Sequence, residues 1–396
     1  MIKVAILTPG FLPVPAVDGG AIENIITYLI NENEKSNDIT FDVYTRYDKR
    51  LKYYKYKSSN IIEIKKNLLY KGIDYFLNKI HIKHNFRFNQ VVNIMNSKDK
   101  YDYVVVENNM QLYEFFCKKY KYVKDCKIIF HLHNNIGGSD KPSYLCKYIA
   151  HTSKEVIVVS NFLKKRWIEV TDSKNVKVLY NTIETERFLN QAKDKDLAKK
   201  YNISKNDIVF TYCGRLDEEK GVINLIKAFN NLYKRYDNIK LLIIGKAYFD
   251  FNYEKQAKNI SGKNIIYLGS IDNNNISKYF SISDVVVIPT ISEEAFGITA
   301  IEAMSSGNAV IASAKGGLPE IINKACGILV NTDDFINNLN KSMEYLINNK
   351  SLIKKMGKNS KKYIQKNIYL FDSKNYYENF LDIIRKDWYE PKWQFN

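Results

Sequence analysis

The sequence predicts an α/β protein built from two parallel-sheet domains, and three observations lead there. At 396 residues the chain exceeds the ~250–300 at which a single hydrophobic core usually stops growing. Short apolar runs alternate with helical patterns along both halves, the rhythm of parallel α/β layers rather than of hairpins. That rhythm breaks once, over residues 184–207, which are highly charged and carry no strand pattern.

Taken in order, the first half offers strands at residues 3–8, 40–45, 103–107, 127–133, 155–160 and 176–180. Each is a β-branched or aromatic run bounded by polar or turn residues. Helices are expected at 21–32 and 111–120. The second half restarts with strands at 208–213, 240–244, 265–268, 285–288, 309–312 and 327–329, and helices at 221–236, 276–281 and 297–306. The domains are therefore placed at 1–185 and 186–371. The tail reads as one more amphipathic helix over 372–386, and the segment 372–396 is expected to pack back on the first domain.

Composition bounds the rest. Hydrophobic residues make up 45% and charged residues 26%, as in ordinary folded proteins. The apolar start Met1–Leu7 is too short for a secretory signal, and no run approaches the ~20 residues of a membrane-spanning helix. Five cysteines are scattered without a C-x-x-C, which fits reduced thiols and predicts a cytoplasmic location. The net charge of +17 has two readings, attraction to an anionic partner or a lysine-rich compositional bias. Residues 47–90 mix Lys and Arg with Tyr53, Tyr54, Tyr56, Tyr70, Tyr75, Phe76, Phe86 and Phe88. Such a stretch suits either a membrane surface or amphipathic helices packed on the sheet.

Chemistry concentrates at predicted strand ends, where open α/β sheets bind ligands. After the strand at 285–288 and Pro289 comes Ser292-Glu293-Glu294-Ala295-Phe296-Gly297, then a helix carrying Glu302. Glu294 sits in the loop, Glu302 sits more than a turn into the helix, and the helix's first N–H groups favour anionic or hydroxyl-rich ligands. A second turn, Lys315-Gly316-Gly317-Leu318, follows the next strand. After the strand at 208–213, Gly214-Arg215-Leu216-Asp217-Glu218-Glu219-Lys220-Gly221 brings a planar guanidinium and a mobile ammonium into one tight turn, a pair suited to a diphosphate. Near the start, Asp18-Gly19-Gly20-Ala21-Ile22-Glu23 opens a helix with glycines that let backbone amides approach a ligand. His133 ends the strand at 127–133, with His131 on the same strand face.

These elements together resemble retaining glycosyltransferases of family 4 (glycosyltransferase group 1), and the resemblance runs along nearly the whole chain. Glu294 and Glu302 match the family's two glutamates separated by seven residues, residues 214–221 its G-R-L-x-x-x-K-G element, and residues 19–23 its G-G-x-x-E element. Asn181-Thr182-Ile183-Glu184 departs from the family's usual N-G-I/V-D by carrying Thr182 in place of glycine. The resemblance implies the GT-B architecture, two Rossmann-like domains with parallel sheets facing across a cleft. The first would lie on the acceptor side and the second would bind the donor. It implies transfer, with retention, of a hexosyl or N-acetylhexosaminyl group from a nucleotide sugar, UDP-linked as the first choice, to a glycan hydroxyl. Lipid-linked acceptors of bacterial surface-polysaccharide assembly fit the basic-aromatic stretch, with peripheral contact to an anionic inner membrane face. Glu294, His133, Lys220 and Arg215 would be the catalytic set. Gly19, Gly20, Ala295, Phe296, Gly297 and Glu302 would join Arg215, Lys220 and Glu294 in holding the donor, and Glu302 would take the ribose hydroxyls.

No cofactor or metal is expected. The only D-x-D, Asp194-Lys195-Asp196, lies in the charged junction rather than at a strand end. A hydride-transfer enzyme would need G-x-G-x-x-G after its first strand, and Pro9-Gly10-Phe11-Leu12-Pro13 does not supply it. A nucleic-acid binder would need a concentrated basic motif, whereas the lysines read as spread throughout, so no nucleic-acid partner is expected. A nucleotide-sugar epimerase of the same architecture is the nearer alternative.

Overall fold

The computed structural model describes residues 1–65, 85–136, 143–248 and 250–385. The chain forms two compact units. One comprises Met1–Tyr180 joined by residues 376–385, and the other is Asn181–Asn375.

The first unit is a seven-stranded sheet in the order β3-β2-β1-β4-β5-β6-β7, with every pairing parallel. Its strands are β1 (Ile2–Leu7), β2 (Ile39–Arg46), β3 (Ser59–Ile64), β4 (Tyr103–Glu107), β5 (Lys127–Leu132), β6 (Glu155–Val158) and β7 (Val176–Val178). The central strands read as unbroken apolar runs because helices cover both faces of a parallel sheet. Val104, Val105 and Val106 are accordingly fully buried. The register sets Glu107 at the end of β4 opposite His131 of β5. Strand order reverses between β1 and β4, so the loops following these two strands flank the switch point at which such sheets take ligands.

The second unit is a six-stranded parallel sheet in the order β10-β9-β8-β11-β12-β13. Its strands are β8 (Ile208–Cys213), β9 (Ile239–Ile244), β10 (Ile265–Gly269), β11 (Val285–Ile288), β12 (Ala309–Ser313) and β13 (Gly327–Val330). The switch point here lies between β8 and β11. A core of Phe210, Phe229, Leu241, Ile243, Val287, Ile311, Leu339 and Met343 is sealed from solvent. Two parallel sheets of this kind are the pair of Rossmann-like domains expected of the GT-B fold.

The structure adds to the sequence reading in three places. Residues 47–90 contain an edge strand, β3, and a helix, Phe86–Asn96, and Tyr53 and Tyr54 of this stretch are exposed. Tyr70, Tyr75 and Phe76 lie outside the described residues. The strand expected to run to Ser160 stops at Val158, because the Ser160 hydroxyl caps the next helix by accepting the Leu163 N–H at 3.1 Å. The charged junction folds into two short helices, Thr185–Leu189 and Lys195–Lys200, and Asp194 of the D-x-D caps the second by accepting from the Leu197 N–H at 2.9 Å.

The last helix, Ser373–Arg385, returns to the first unit. Tyr377 donates to Asn33 Oδ1 at 2.8 Å, Arg385 pairs with Asp38 at 3.0 Å, and the rings of Phe380 and Phe41 pack at 6.2 Å. No described helix is long and apolar enough to cross a membrane.

Candidate functional site

In the second unit, the loops after β8 and β11 are tied into one structure. Gly221 has a left-handed backbone (φ 67°) and lies so close to the Pro289 carbonyl that a Cβ there would sit 2.0 Å from its oxygen. The Glu219 carbonyl accepts from the Ile291 N–H and from the Thr290 hydroxyl, both at 2.9 Å. Asp217 caps the short 3₁₀ turn Glu218–Lys220 by accepting from the Lys220 N–H at 3.1 Å. With both loops fixed, Lys220 Nζ reaches Glu294 Oε2 at 2.6 Å, both side chains remaining about one-fifth exposed.

The Glu294 loop is in turn fastened to the turn after β12. Gly317 N–H donates to the Glu294 carbonyl at 2.7 Å, and Gly316 N–H donates to Glu293 Oε2 at 2.6 Å. A Cβ on Gly316 would strike the Glu294 carbonyl at 1.9 Å. Ala295 is half-buried over Gly317, Phe296 is buried against Phe371, and Gly297 (φ 110°) starts the helix Ile298–Ser305 against Leu318. The strand-end position of Glu294 is thus set by backbone contacts rather than by its own charge.

Arg215 does not join that pair. Its guanidinium is half-exposed and turns to Asp217 at 3.3 Å and Glu219 at 3.9 Å, because its own turn supplies the nearest carboxylates. Glu302 lies on the buried face of its helix, and burial pushes its pKa up to about 7 against the weaker pull of Arg187.

In the first unit, Glu107 is the hub. His133 Nε2 lies 2.8 Å and His131 Nδ1 3.1 Å from the same oxygen, Glu107 Oε2, and the two rings stand 3.9 Å apart. All three side chains are buried. An ionised carboxylate only accepts, so each ring presents an N–H to it. Those donors and the nearby imidazoles hold Glu107 down at about 2 although burial alone would raise it. Asn108, in a left-handed conformation (φ 53°), positions the loop by accepting from the N–H groups of His133 at 3.0 Å and Asn134 at 3.2 Å.

Gly19 and Gly20 both have positive φ immediately before the helix Ala21–Ser36. Gly20 admits no side chain, since a Cβ would lie 2.2 Å from the Glu23 carboxylate. Glu23 is buried and pushed up to about 7, first by desolvation and further by the charge of Glu107.

Glu107, His131 and His133 also form, among the described residues, a trio whose ligating atoms lie within 4.8 Å of one another. Two imidazoles and a carboxylate suit zinc-like ions by donor type. Here both contacts have hydrogen-bond lengths, and two N–H donors account for the low Glu107 pKa.

Glu107 was missed, its signal being its place at the end of a buried strand, and His131, expected on the same strand face as His133, shares that carboxylate with it.

Residues 193–363, all within the second unit, match the family model of glycosyl transferases group 1. The chain is 29% identical over 271 residues to the lipopolysaccharide 1,2-N-acetylglucosaminetransferase of Salmonella typhimurium, covering 63% of this chain and 67% of that protein. It is 29% identical over 240 residues to the capsular polysaccharide biosynthesis glycosyltransferase CapM of Staphylococcus aureus, covering 56% of this chain and 60% of that one. Among solved structures, Anabaena Alr3699/HepE in complex with UDP and glucose superposes with a TM-score of 0.76 at 17% identity, covering 97% of this chain and 100% of that chain. The matches support a glycosyltransferase of the GT-B fold.

Proposed function

We propose that this chain is a retaining glycosyltransferase that moves a hexosyl or N-acetylhexosaminyl group from a nucleotide sugar to a hydroxyl of a glycan acceptor. The observation that carries the reading is the Lys220–Glu294 pair, held at 2.6 Å by two interlocked loops at the switch point of the second sheet. In this reading the second unit binds the donor and the first unit the acceptor. UDP-sugars are the first donors to try, and the polysaccharide-assembly names of the bacterial relatives favour a lipid-linked glycan acceptor on the cytoplasmic membrane face.

In the reaction the bond from the anomeric carbon to the diphosphate breaks, and its electron pair leaves with the diphosphate. The acceptor oxygen bonds to that carbon on the same face, and its proton passes to a diphosphate oxygen. Lys220 and Arg215 answer the negative charge that builds on the leaving group. Groups fixed in place beforehand cost no reorganisation at the moment of reaction, which is why a well-placed donor is worth ~3–4 kcal/mol. Glu294 orients Lys220 and, with the Ala295–Gly297 backbone, the sugar ring, where positive charge develops. Glu302 holds the ribose. Gly19, Gly20 and His133 are proposed donor contacts on the sequence match alone.

The test is turnover of a nucleotide-sugar panel with and without glycan acceptors, the products separated by mass and linkage. Glycosidic products with retained configuration, unaffected by EDTA, are expected. Activity that EDTA abolishes and magnesium restores would overturn the metal-free mechanism, and epimerised donor without transfer would overturn the assignment itself.

A further inference from the structure

The positive charge that reads as spread along the sequence is gathered by the fold onto one face. The helix Lys350–Lys366 carries seven lysines in 17 residues and no acidic side chain. Five of them, Lys350, Lys354, Lys358, Lys362 and Lys366, recur every fourth residue and are exposed, as is Lys355. Residues four apart are offset by ~40° around a helix, so the five wind across about 160° of its outer surface from one end to the other. The opposite face, with Ile353, Met356, Gly357, Ser360 and Ile364, is buried in the second unit.

This arrangement works against the helix itself. Like charges four apart repel, and cations in a first turn oppose the helix dipole. Other helices of the molecule answer such lysines with a glutamate one turn away, as in Lys118–Glu114, Lys258–Glu254 and Lys35–Glu32. On this helix, among the described residues, none of the seven lysines lies within ion-pair distance of a carboxylate. Asp284 feels the charges of Lys350 and Lys354 without pairing with either.

A hollow of about 370 Å³ opens midway along the stripe, lined by Lys358, Lys361, Lys362 and Gln365 over Gly307 and Gly357. The two glycines make its floor. A Cβ on Gly357 would sit 2.1 Å from the Gly307 carbonyl, so the helix lies directly on that turn. Lys361 is pinned by donating to the Leu189 carbonyl, which leaves Lys358 and Lys362 free at the rim.

We propose that this lysine face docks the protein on an anionic phospholipid surface, with a lipid phosphate seated in the hollow. The helix's other side is locked in the core, so its lysines make one outward-facing cationic surface on a fixed support. A stripe of exposed cations backed by packed protein matches a flat sheet of phosphates, where each lysine near the surface adds to attraction. The proposal stands on this helix and not on the transfer reading, and its test uses neither donor nor acceptor.

The full chain is sedimented with vesicles of phosphatidylcholine alone and of phosphatidylcholine with phosphatidylglycerol. Binding is expected only to the second, weakening as salt rises. Replacing Lys354, Lys358, Lys362 and Lys366 together by Gln should reduce partitioning by roughly 10- to 100-fold, with no fall in melting temperature. Replacing the same four by Arg should preserve it, and Lys195, Lys199 and Lys200 changed to Gln should leave it near wild type. Equal binding to both vesicles, no binding, full binding by the four-Gln variant, or preferential binding to an oligonucleotide through these lysines would each overturn the proposal.

Discussion

The two units place charged groups at matching points of their sheets and treat them in opposite ways. At the ends of β4 and β5, Glu107 is buried, contacted by two imidazoles, and held at about 2. In the second unit the buried carboxylate, Glu302, has only Arg187 to favour its charge and rises to about 7, while the cation–carboxylate pair Lys220–Glu294 stays partly open to solvent. In the first cluster the carboxylate is answered from within, although the far ring nitrogen of His131 is buried without a partner among the described residues. The second leaves charge for something else to answer, as a binding site for a charged substrate must. Burial alone therefore does not set the state of a carboxylate; the donors aimed at it decide.

The sharpest way to break this comparison is Glu107→Gln. Two buried ring N–H groups would lose their shared anion, and hydrogen bonds to a charged group are worth about 1.5–3 kcal/mol each. Denaturant unfolding near neutral pH should show a loss of that order. A loss under about 1 kcal/mol would mean the trio is not the charge-satisfied element described. The sign in pH follows. Folding lowers the Glu107 pKa from 4.5 to about 2, so its contribution is present above pH 4.5 and disappears as pH falls toward 2.

Next in size are Lys220→Ala and Glu294→Gln, each expected to lower transfer by ~10²–10³-fold with little change in melting temperature. Because this site is open rather than internally satisfied, the effect should appear in turnover and not in stability, the reverse of Glu107→Gln. Wild-type turnover in both folded variants would remove the site.

Glu302→Gln sharpens the contrast in the other direction. Folding raises this carboxyl from 4.5 to about 7, so the native state loses stability as pH climbs through that window and is level above it. The neutral variant should be more stable than wild type at pH 8, by up to about 3 kcal/mol, and should lack the slope. If it also lost donor affinity in a thermal-shift titration, the ribose role proposed for Glu302 would gain support. Smallest is Arg215→Lys. The half-exposed guanidinium keeps its charge but loses its fork, and about a tenfold fall in turnover is expected.

Much of this was legible in advance, for identifiable reasons. Strands such as Tyr103–Glu107 and Val285–Ile288 are unbroken apolar runs because both faces of a parallel sheet are covered. The Glu294 loop announced itself through glycines whose neighbours leave no room for a Cβ. The edge strand Ser59–Ile64 escaped notice because Asn60 and Glu63 interrupt its apolar residues, as a strand paired only with β2 tolerates. Glu107 was hidden for another reason. Its partners lie 24 and 26 residues later, and only the register of β4 on β5 brings them to one oxygen. Arg215 was read as a partner of Lys220 because they share a turn, but the turn's own acids hold it.

The return of residues 376–385 to the first unit means that this unit is encoded in two separated pieces, with the whole of the second between them. Domains generally fold as units while the chain emerges from the ribosome. The first sheet is therefore made early but cannot close until the last helix arrives, and Asn33 waits for Tyr377 over a separation of 344 residues, with Phe41 waiting similarly for Phe380. The second unit, continuous in the chain, can finish first. A released fragment ending at residue 375 should accordingly be cut by protease in the first unit while the second resists.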